Sequence, residues 1–157
     1  MTKLLGGNMS KTLIDIKLLT DDPKFLPEYK TKGSAGVDLR ANIASETTIL
    51  PGQRTKIGSG IAVHIKNPGL VGMVVPRSGL GSKGLVLANT VGIIDSDYTG
   101  EIILACANTG DDPIVIQPGD RIAQLLFVGV FQVIFRVCND LNETDRGANG
   151  FGSTGKN

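Results

Sequence analysis

Hydrophobic and polar positions alternate along this chain in many short runs, and turn residues separate one run from the next. The alternation is clearest over 13–18 and 61–65, where every second side chain is apolar, as in strands with one buried face. Turn signals such as Asn-Pro-Gly at 67–69 and Gln-Pro-Gly-Asp at 117–120 stand between the runs. No sustained helical period interrupts this pattern, apart from a short stretch near 77–83.

These runs predict an all-β domain: a jelly-roll-like β-sandwich or barrel of many short strands, with one short helix. The 21 glycines and the low aromatic content of 4% fit a fold with frequent tight turns. A chain of 157 residues is expected to form a single domain. The predicted strands lie within the apolar runs 12–19, 36–43, 56–65, 70–75, 101–107, 113–116, 122–130 and 133–137.

The two ends of the chain differ in character from its middle. Residues 1–10 are predicted to be a disordered or dispensable extension, and residues 11–139 form the predicted β domain. Residues 140–157 are polar and glycine-rich, so they bury too little surface to offset their ordering entropy and should be mobile. Composition alone favours an inert tail, but Arg146 and Phe151 supply the charge and the ring that a closing arm needs. We therefore predict a mobile arm over 140–157 that closes on the active site.

The overall charge limits the classes of partner. A formal net charge of +1 is too small to attract nucleic acid or an anionic membrane by overall electrostatics, and neither is expected as a partner. No apolar run reaches the roughly 18 residues of a membrane span, and no signal-peptide core is recognisable, so the expected location is the cytoplasm. Both cysteines, Cys106 and Cys138, stand in apolar runs and are predicted to be buried, reduced thiols.

Two segments imitate motifs whose structural context is missing, and the histidine content bears on a third kind of site. Residues 79–84 fit G-x-G-x-x-G, but no βαβ unit surrounds them, so a dinucleotide site is not expected. Residues 150–157 nearly match a P-loop, yet Asn157 replaces the required hydroxyl. His64 is the only histidine and lies in an alternating strand, which argues against a His- or Cys-based metal site.

Five segments combine glycine, charge and small polar residues where a β-sandwich normally has plain turns. Their order and wording resemble the five motifs of the dUTPase family, including its glycine-rich C-terminal arm. The resemblance runs from about residue 11 to residue 155, and five motifs in order make it specific. The segments are AGVDLRA at 35–41, PRSGLG at 76–81, NTVGIIDSDYTGE at 89–101, QPGDRIAQ at 117–124 and DRGANGFG at 145–152.

The resemblance implies hydrolysis of dUTP to dUMP and pyrophosphate, which keeps uracil out of DNA and supplies dUMP for thymidylate synthesis. Asp95 matches the family's carboxylate that orients and deprotonates the attacking water, although residue type alone fits a turn aspartate equally well. Gln124 matches a residue near the phosphates and that water, and it is predicted to act with Asp95. The implied phosphate-binding residues are Arg77, Ser78, Gly79, Gln124 and Arg146.

The resemblance also places the nucleoside against the hairpin that follows Asn89. Backbone groups of that hairpin and the Asn89 amide would pair with the uracil edge and reject cytosine. Tyr98 matches the residue beneath the deoxyribose, where its ring leaves no room for a 2′-hydroxyl; the alternative is an aromatic that only packs. Phe151 would stack over uracil as the arm closes. The implied nucleoside-binding residues are Asn89, Val91, Ile94, Asp95, Tyr98 and Phe151.

Mg2+ is the cofactor that the resemblance implies, held mainly by phosphate oxygens because it is a hard cation. Asp38 has two readings, a contact with the metal through water or support of the subunit contact, and we favour the structural one. Arg121 has a similar alternative to a site role, namely an ion pair with Asp38 or Asp120. The family's assembly implies a homotrimer in which three chains share each active site.

Two other functions fit parts of the same pattern. A dCTP deaminase has this fold and assembly, but its family carries a catalytic glutamate in the strand after the hairpin, where 103–106 reads Ile-Leu-Ala-Cys. A non-catalytic nucleotide-binding regulator would tolerate loss of the water-activating carboxylate or of the arm, and this sequence keeps both. Both alternatives are therefore less favoured than dUTP hydrolysis.

Overall fold

Ten strands, one short α-helix and one 3-10 turn make up the fold over residues 12–148, which the computed structural model describes. The 3-10 turn spans Pro23–Phe25, and Asp22 caps it by accepting a hydrogen bond from Lys24 N–H. The strands are β1 (Asp15–Leu18), β2 (Val37–Arg40), β3 (Thr47–Ile49), β4 (Arg54–His64), β5 (Leu70–Pro76), β6 (Leu85–Leu87), β7 (Gly92–Ile94), β8 (Glu101–Asn108), β9 (Ile114–Ile116) and β10 (Arg121–Gly129), and the helix α1 is Ser78–Gly81.

The strands form three antiparallel sheets. The first sheet has the order β1-β4-β8-β6, the second has the order β2-β10-β5-β7, and β3 pairs with β9 in a small third sheet. Neighbours in each sheet are often distant in sequence, so most pairings are long-range, as in jelly rolls rather than simple meanders. The prediction of an all-β, jelly-roll-like fold is confirmed.

The core follows from the alternation that the sequence shows. On β2, Val37 and Leu39 are buried whereas Asp38 and Arg40 are partly exposed, because successive side chains of a strand point to opposite faces. The inner faces of the strands combine Ile and Leu side chains with less than a tenth of their surface exposed. Burying each such side chain contributes roughly 1.5–3 kcal/mol to stability. This rigid core is what fixes the polar outer positions, including Asp38.

The structure differs from the predicted elements in three places. The helix begins at Ser78 and ends at Gly81, within the predicted 77–83 stretch. Strands β3, β6 and β7 have three residues each and were not predicted, although β9, of the same length, was. The predicted strand over 133–137 is wrong for the isolated chain, since these residues form neither helix nor strand and pair with no strand within residues 12–148.

The two cysteines also have different surroundings. Cys106 is buried on β8, as predicted, whereas Cys138 is exposed, so the prediction of a buried Cys138 is wrong for the isolated chain. Both are free thiols. Burial raises the pKa of the Cys106 thiol to about 11, which keeps it protonated and unreactive at neutral pH. Over residues 12–148, no helix has the length and apolar character needed to cross a membrane.

Candidate active site

A cavity of about 230 Å³ lies where β7, the edge strand of the second sheet, faces β8 of the first sheet. Four of the residues predicted to bind the nucleoside line it: Asn89, Ile94, Asp95 and Tyr98. Val91, also predicted, is not among the lining residues, because it is held in the turn before β7. Phe151 lies outside the described residues. The cavity therefore gathers most of the predicted nucleoside site in one place.

The backbone around Asn89 is tightly folded. Thr90 has a φ of 61°, in the left-handed region that a β-branched residue rarely adopts. Its N–H donates to Leu87 O over 2.8 Å, and Val91 N–H donates to Asn89 O over 2.7 Å. These bonds reverse the chain between β6 and β7 and leave the Asn89 side chain on the cavity wall. Backbone outliers of this kind concentrate at functional sites.

Asp95 follows directly after β7 in a short turn. Ile94 pairs with Gly72 of β5, which fixes the start of this turn on the second sheet. Tyr98 N–H donates to Asp95 O over 3.2 Å, and Lys66 N–H donates to Ser96 O over 3.0 Å. The Asp95 carboxylate thus lies on an exposed turn whose backbone is fixed by the pairing of Ile94 and by the hydrogen bonds of Asp95 O and Ser96 O. Its position on the cavity wall is compatible with holding a water molecule beside a bound nucleotide.

A second cluster of predicted residues lies on the other end of the second sheet. Gln124 of β10 stands between Asp38 of β2 and Val75 of β5 in the ladder. Directly opposite residues in an antiparallel pair project from the same face. Asp38 and Gln124 therefore share the outer face of the sheet, while Leu39 and Leu125 on the same strands are buried in the core.

Asp38 is the centre of an ion cluster with two arginines. Its Oδ1 lies 2.7 Å from Arg77 Nε, and its Oδ2 accepts a hydrogen bond from Arg121 Nη1 over 3.1 Å. Arg77 Nη1 also donates to Arg121 O over 3.1 Å. The ion pair between Arg121 and Asp38, one of the alternatives weighed for Arg121, is thus present. The Asp38–Arg77 contact lacks hydrogen-bond geometry, so Asp38 Oδ1 is buried without a hydrogen-bond partner.

Arg77 also begins the segment predicted to hold phosphate. It occupies the N-cap position of α1 with extended backbone, and its side chain does not cap the helix. The first amides of a helix have no partner within the helix, so those of Ser78 and Gly79 point outward. Ser78 and Gly79 are exposed. Guanidinium and amide donors in this arrangement suit the oxygen atoms of a phosphate.

The structure does not bring the two clusters together within one chain. Asp95 follows the residue paired with Gly72, whereas Arg77 follows Pro76 at the other end of the same strand. The five residues from 72 to 77 span roughly 16 Å at about 3.3 Å per residue. The backbones that carry Asp95 and Arg77 are therefore well separated along the second sheet of one chain.

The segment after β10 is extended and highly exposed. It carries five large apolar side chains with between 88% and 99% of their surface exposed: Phe131, Ile134, Phe135, Val137 and Leu141. Arg146 lies near its end in an exposed turn, where Gly147 N–H donates to Thr144 O over 2.9 Å. An isolated soluble chain rarely exposes so many apolar side chains in sequence.

Residues 12–148 contain no group of three or more His, Cys, Asp or Glu side chains placed to hold a metal ion. His64 ends β4, where it pairs with Asp15 of β1. It is a partly exposed strand residue, as the sequence indicates. A metal in this site would need most of its ligands from elsewhere, and a triphosphate supplies hard oxygen ligands of the kind Mg2+ prefers.

The chain is similar to known proteins over most of its length. The profile of the dUTPase family matches residues 22–155 of the chain. The chain belongs to the dUTPase family. A deoxyuridine 5'-triphosphate nucleotidohydrolase of Nitrosospira multiformis is 54% identical over 145 residues, which cover 91% of this chain and 97% of that protein. The corresponding protein of Escherichia coli K12 is 48% identical over 149 residues and covers 91% and 97%.

The fold agrees with solved dUTPase structures as well. The dUTPase of Staphylococcus bacteriophage 80alpha, solved with dUpNHpp, superposes with a TM-score of 0.80 at 26% sequence identity. The match covers 92% of this chain and 99% of that chain. The jelly-roll-like architecture of this chain is thus that of the dUTPase family.

Several cavity residues were not predicted from the sequence. They come from β5, β6, β7 and β8, and their side chains are mostly apolar, so nothing distinguishes them from ordinary core positions. Glu101 is the exception, because it is a charged residue at the start of a strand and a signal was available. The unpredicted lining residues are Val74, Leu87, Gly92, Ile93, Glu101, Ile102, Ile103, Leu104 and Ala105.

Proposed function

We propose that this dUTPase-family chain is a dUTP diphosphatase that hydrolyses dUTP to dUMP and pyrophosphate. The observation that carries the proposal is the cavity walled by Asn89, Asp95 and Tyr98. It combines an amide for a base edge, a carboxylate for a water molecule and an aromatic ring for a sugar. Such a reaction removes dUTP that would otherwise enter DNA and provides dUMP for thymidylate synthesis.

Asp95 is the proposed general base. It orients a water molecule toward the α-phosphorus and accepts its proton as the water attacks and the α–β phosphoanhydride bond breaks, with pyrophosphate leaving. General-base assistance of this kind contributes about 10²–10⁴-fold to the rate. Gln124 is proposed to position the same water or an adjacent phosphate oxygen, which its place on the outer face of the sheet supports.

The phosphates are proposed to bind at the start of α1. Arg77 and the outward amides of Ser78 and Gly79 supply charge and directed donors, and Arg146 from the arm would contact the terminal phosphate. These donors neutralise the charge that develops on the leaving pyrophosphate, which is where phosphoryl-transfer enzymes gain most of their rate.

Selection of uracil and deoxyribose is proposed to reside in the cavity. Asn89 and the backbone of the β7 hairpin would pair with the uracil edge, while Ile94 packs against the nucleoside. Tyr98 would lie beneath the deoxyribose and exclude a 2′-hydroxyl by lack of space. Phe151, from the arm, is proposed to cover the base. A site that pairs fully with one base rejects another that leaves buried polar groups unpaired.

Mg2+ is proposed as the cofactor. The residues present fit it, because the Asp38 carboxylate lies beside the phosphate-binding segment, and a shift of the Arg77 side chain away from Oδ1 would let that oxygen accept a hydrogen bond from a metal-bound water. Both Asp38 oxygens already face guanidinium groups, so the remaining ligands would be phosphate oxygens. When bound, the metal would neutralise charge on the triphosphate and fix its conformation.

A homotrimer with shared active sites is proposed from two observations. Roughly 16 Å of strand separates the backbones that carry Asp95 and Arg77 in one chain, so a complete site is proposed to take these residues from different chains. The exposed apolar segment that begins at Phe131 needs a surface to cover it, and a second copy of the chain provides one. Residues 140–157 would then reach a neighbouring site as a closing arm, with residues 1–10 taking no part.

The rival functions have less support. The β8 stretch 103–106, where the deaminase alternative requires a glutamate, has no carboxylate, and the only glutamate on the cavity wall, Glu101, is bonded to the β4 backbone. A purely regulatory role would not require Asp95. A cytoplasmic location stays a prediction from the sequence, and cell fractionation tests it.

The deciding experiment is incubation of the purified protein with dUTP and Mg2+. We expect stoichiometric release of pyrophosphate and dUMP, with no ammonia formed from dCTP in a parallel reaction. Binding of dUTP without pyrophosphate release would favour the regulatory alternative, and ammonia from dCTP would favour the deaminase.

A further inference from the structure

Glu101, the first residue of β8, connects two parts of the molecule that are distant in sequence. Its carbonyl oxygen accepts a hydrogen bond from the Tyr98 hydroxyl over 2.8 Å. Its carboxylate oxygen Oε1 accepts a hydrogen bond from Gly60 N–H of β4, also over 2.8 Å. One residue thus bonds to the cavity's only tyrosine and to the neighbouring strand.

The contact between the Glu101 carboxylate and β4 depends on an irregularity in the pairing of β4 with β8. The register between β4 and β8 passes from Gly58↔Ile103 to Ala62↔Glu101, so three residues of β4 stand against one of β8. The Glu101 carboxylate fills the space that this bulge opens. A Cβ atom on Gly58 would lie 2.5 Å from Oε1, so a side chain at position 58 would push the carboxylate out of this position.

The contact on Tyr98 is equally close. The ring lies over Gly100, where a Cβ atom would be 2.5 Å from the Tyr98 hydroxyl oxygen and 2.7 Å from Cζ. The ring is therefore pressed against the backbone immediately before Glu101. Since the hydroxyl bonds to the Glu101 carbonyl, the position of the ring depends on where the start of β8 lies. That start is fixed to β4 by the Glu101 carboxylate.

From this linkage we infer that Glu101 is a positioning residue for sugar selection: its carboxylate anchors the start of β8 in the β4 bulge, and its carbonyl holds the Tyr98 ring where a 2′-hydroxyl would clash. The inference rests on the proposed function, and it adds a residue that does not touch the reacting atoms. Loss of the anchor lets the ring move away from the sugar. UTP then fits better, while the chemistry at phosphorus is little changed.

The test compares kcat/KM for dUTP with kcat/KM for UTP in the full-length protein. Glu101→Ala removes the anchor, and the dUTP-to-UTP ratio should fall by about tenfold or more, since displacements near 1 Å have effects of this size. Glu101→Gln keeps an oxygen acceptor for Gly60 N–H, and its ratio should stay within about twofold of the wild type. Glu46→Ala removes an exposed glutamate of the loop before β3, and the ratio should not change.

Two further variants separate positioning from general loss of structure. Gly58→Ala must displace the carboxylate while leaving Glu101 intact, and it should lower the ratio in the same direction. Tyr98→Phe removes the hydroxyl, and Glu101→Ala should lower the ratio much less in that background, because both changes break the same linkage. A merely structural role would reduce turnover of both nucleotides in proportion and leave the ratio unchanged.

The outcomes are distinguishable. If the wild type does not hydrolyse dUTP, the proposed function fails and this inference fails with it. If the wild type hydrolyses dUTP but folded Glu101→Ala and Gly58→Ala proteins keep the wild-type ratio, only the inference is overturned. Full additivity of the Glu101→Ala and Tyr98→Phe effects would also overturn it.

Discussion

Asp38 and Gln124 stand directly opposite each other on β2 and β10, on the outer face of the second sheet. The Asp38 side chain, only 11% exposed, faces two guanidinium groups, and it has one oxygen without a hydrogen-bond partner. This pair shows how a strand ladder, rather than a loop, sets the place of a polar site. The two residues are far apart in sequence, and only their register brings them together.

Replacing Asp38 by Asn should affect both stability and metal dependence. The change leaves Arg77 and Arg121 close together without their shared counter-charge, and it should lower the free energy of unfolding by about 1–3 kcal/mol. It should also raise the Mg2+ concentration for half-maximal activity by up to about tenfold. Urea unfolding and Mg2+ titration of dUTP turnover measure the two effects.

Asp111→Asn, an exposed acidic residue in the loop before β9, is the matched control and should change neither quantity. A stability loss with unchanged Mg2+ dependence would assign Asp38 a structural role alone and contradict the proposed contact with a metal-bound water.

Replacing Asp95 by Asn should separate binding from catalysis. The amide preserves shape but cannot accept the proton of water, so kcat for dUTP should fall by at least about 100-fold while the dissociation constant for a non-hydrolysable dUTP analogue changes little. Steady-state kinetics and calorimetry provide the two measurements. Asp97→Asn, two residues further in the same turn and not on the cavity wall, should retain nearly full turnover. Comparable losses of kcat in both variants would show that turnover depends on the conformation of the turn and not on the Asp95 carboxylate.

Much of this fold was readable from the sequence, for particular reasons. The long strands β4 and β10 contain apolar runs long enough to be recognised, and β2 alternates, with Val37 and Leu39 on its buried face. Three-residue strands are too short to show a period; of these, β9 was predicted, and β3, β6 and β7 were missed. The segment at 133–137 has the composition of a strand, but composition does not reveal whether the pairing partner belongs to the same chain.

The site was predictable in part, and again for physical reasons. Asp95 and Tyr98 were identified because the sequence of their hairpin resembles a motif of the dUTPase family. The anchoring role of Glu101 could not be foreseen, because it depends on a bulge in β4 that sequence periodicity does not reveal. The same is true of the separation between Asp95 and Arg77, which follows from strand register alone.

Deleting residues 145–157 should leave the assembly intact and remove most turnover. The deleted residues include Arg146 and Phe151, the proposed phosphate and base contacts, whereas the apolar segment starting at Phe131 remains. Size-exclusion chromatography with light scattering should still report a trimer. Wild-type kcat in this variant would refute the role of the arm. Deletion from residue 131 onward should in addition destabilise the trimer, because it removes the apolar side chains proposed to contact a second copy.

The buried Cys106 thiol should make stability depend on alkaline pH. Its pKa in the folded chain, about 11, lies above its ordinary value of 9.0, so its stabilising effect is complete below pH 9 and is lost as the pH rises toward 11. The loss should reach roughly 2–3 kcal/mol, given about 1.4 kcal/mol per pKa unit. Thermal melts from pH 8 to pH 11 measure it.

Cys106→Ala is the control for this prediction, since lysine and tyrosine titrations affect both proteins alike. The variant should be less stable at pH 8, because it leaves a small cavity, but its stability should fall less steeply with pH. Parallel pH curves for the two proteins would contradict a raised thiol pKa.

The roughly 16 Å of strand between Gly72 and Arg77 has a genetic consequence. Chains carrying Asp95→Asn and chains carrying Arg77→Gln should each assemble into inactive trimers, yet co-expression should restore turnover. Every trimer that contains both variants has one subunit interface where an intact Asp95 meets an intact Arg77. If the two chains mix randomly in equal amounts, about one site in four is therefore active. Two defective alleles would thus complement each other, which could not happen if both residues served the same subunit's pocket.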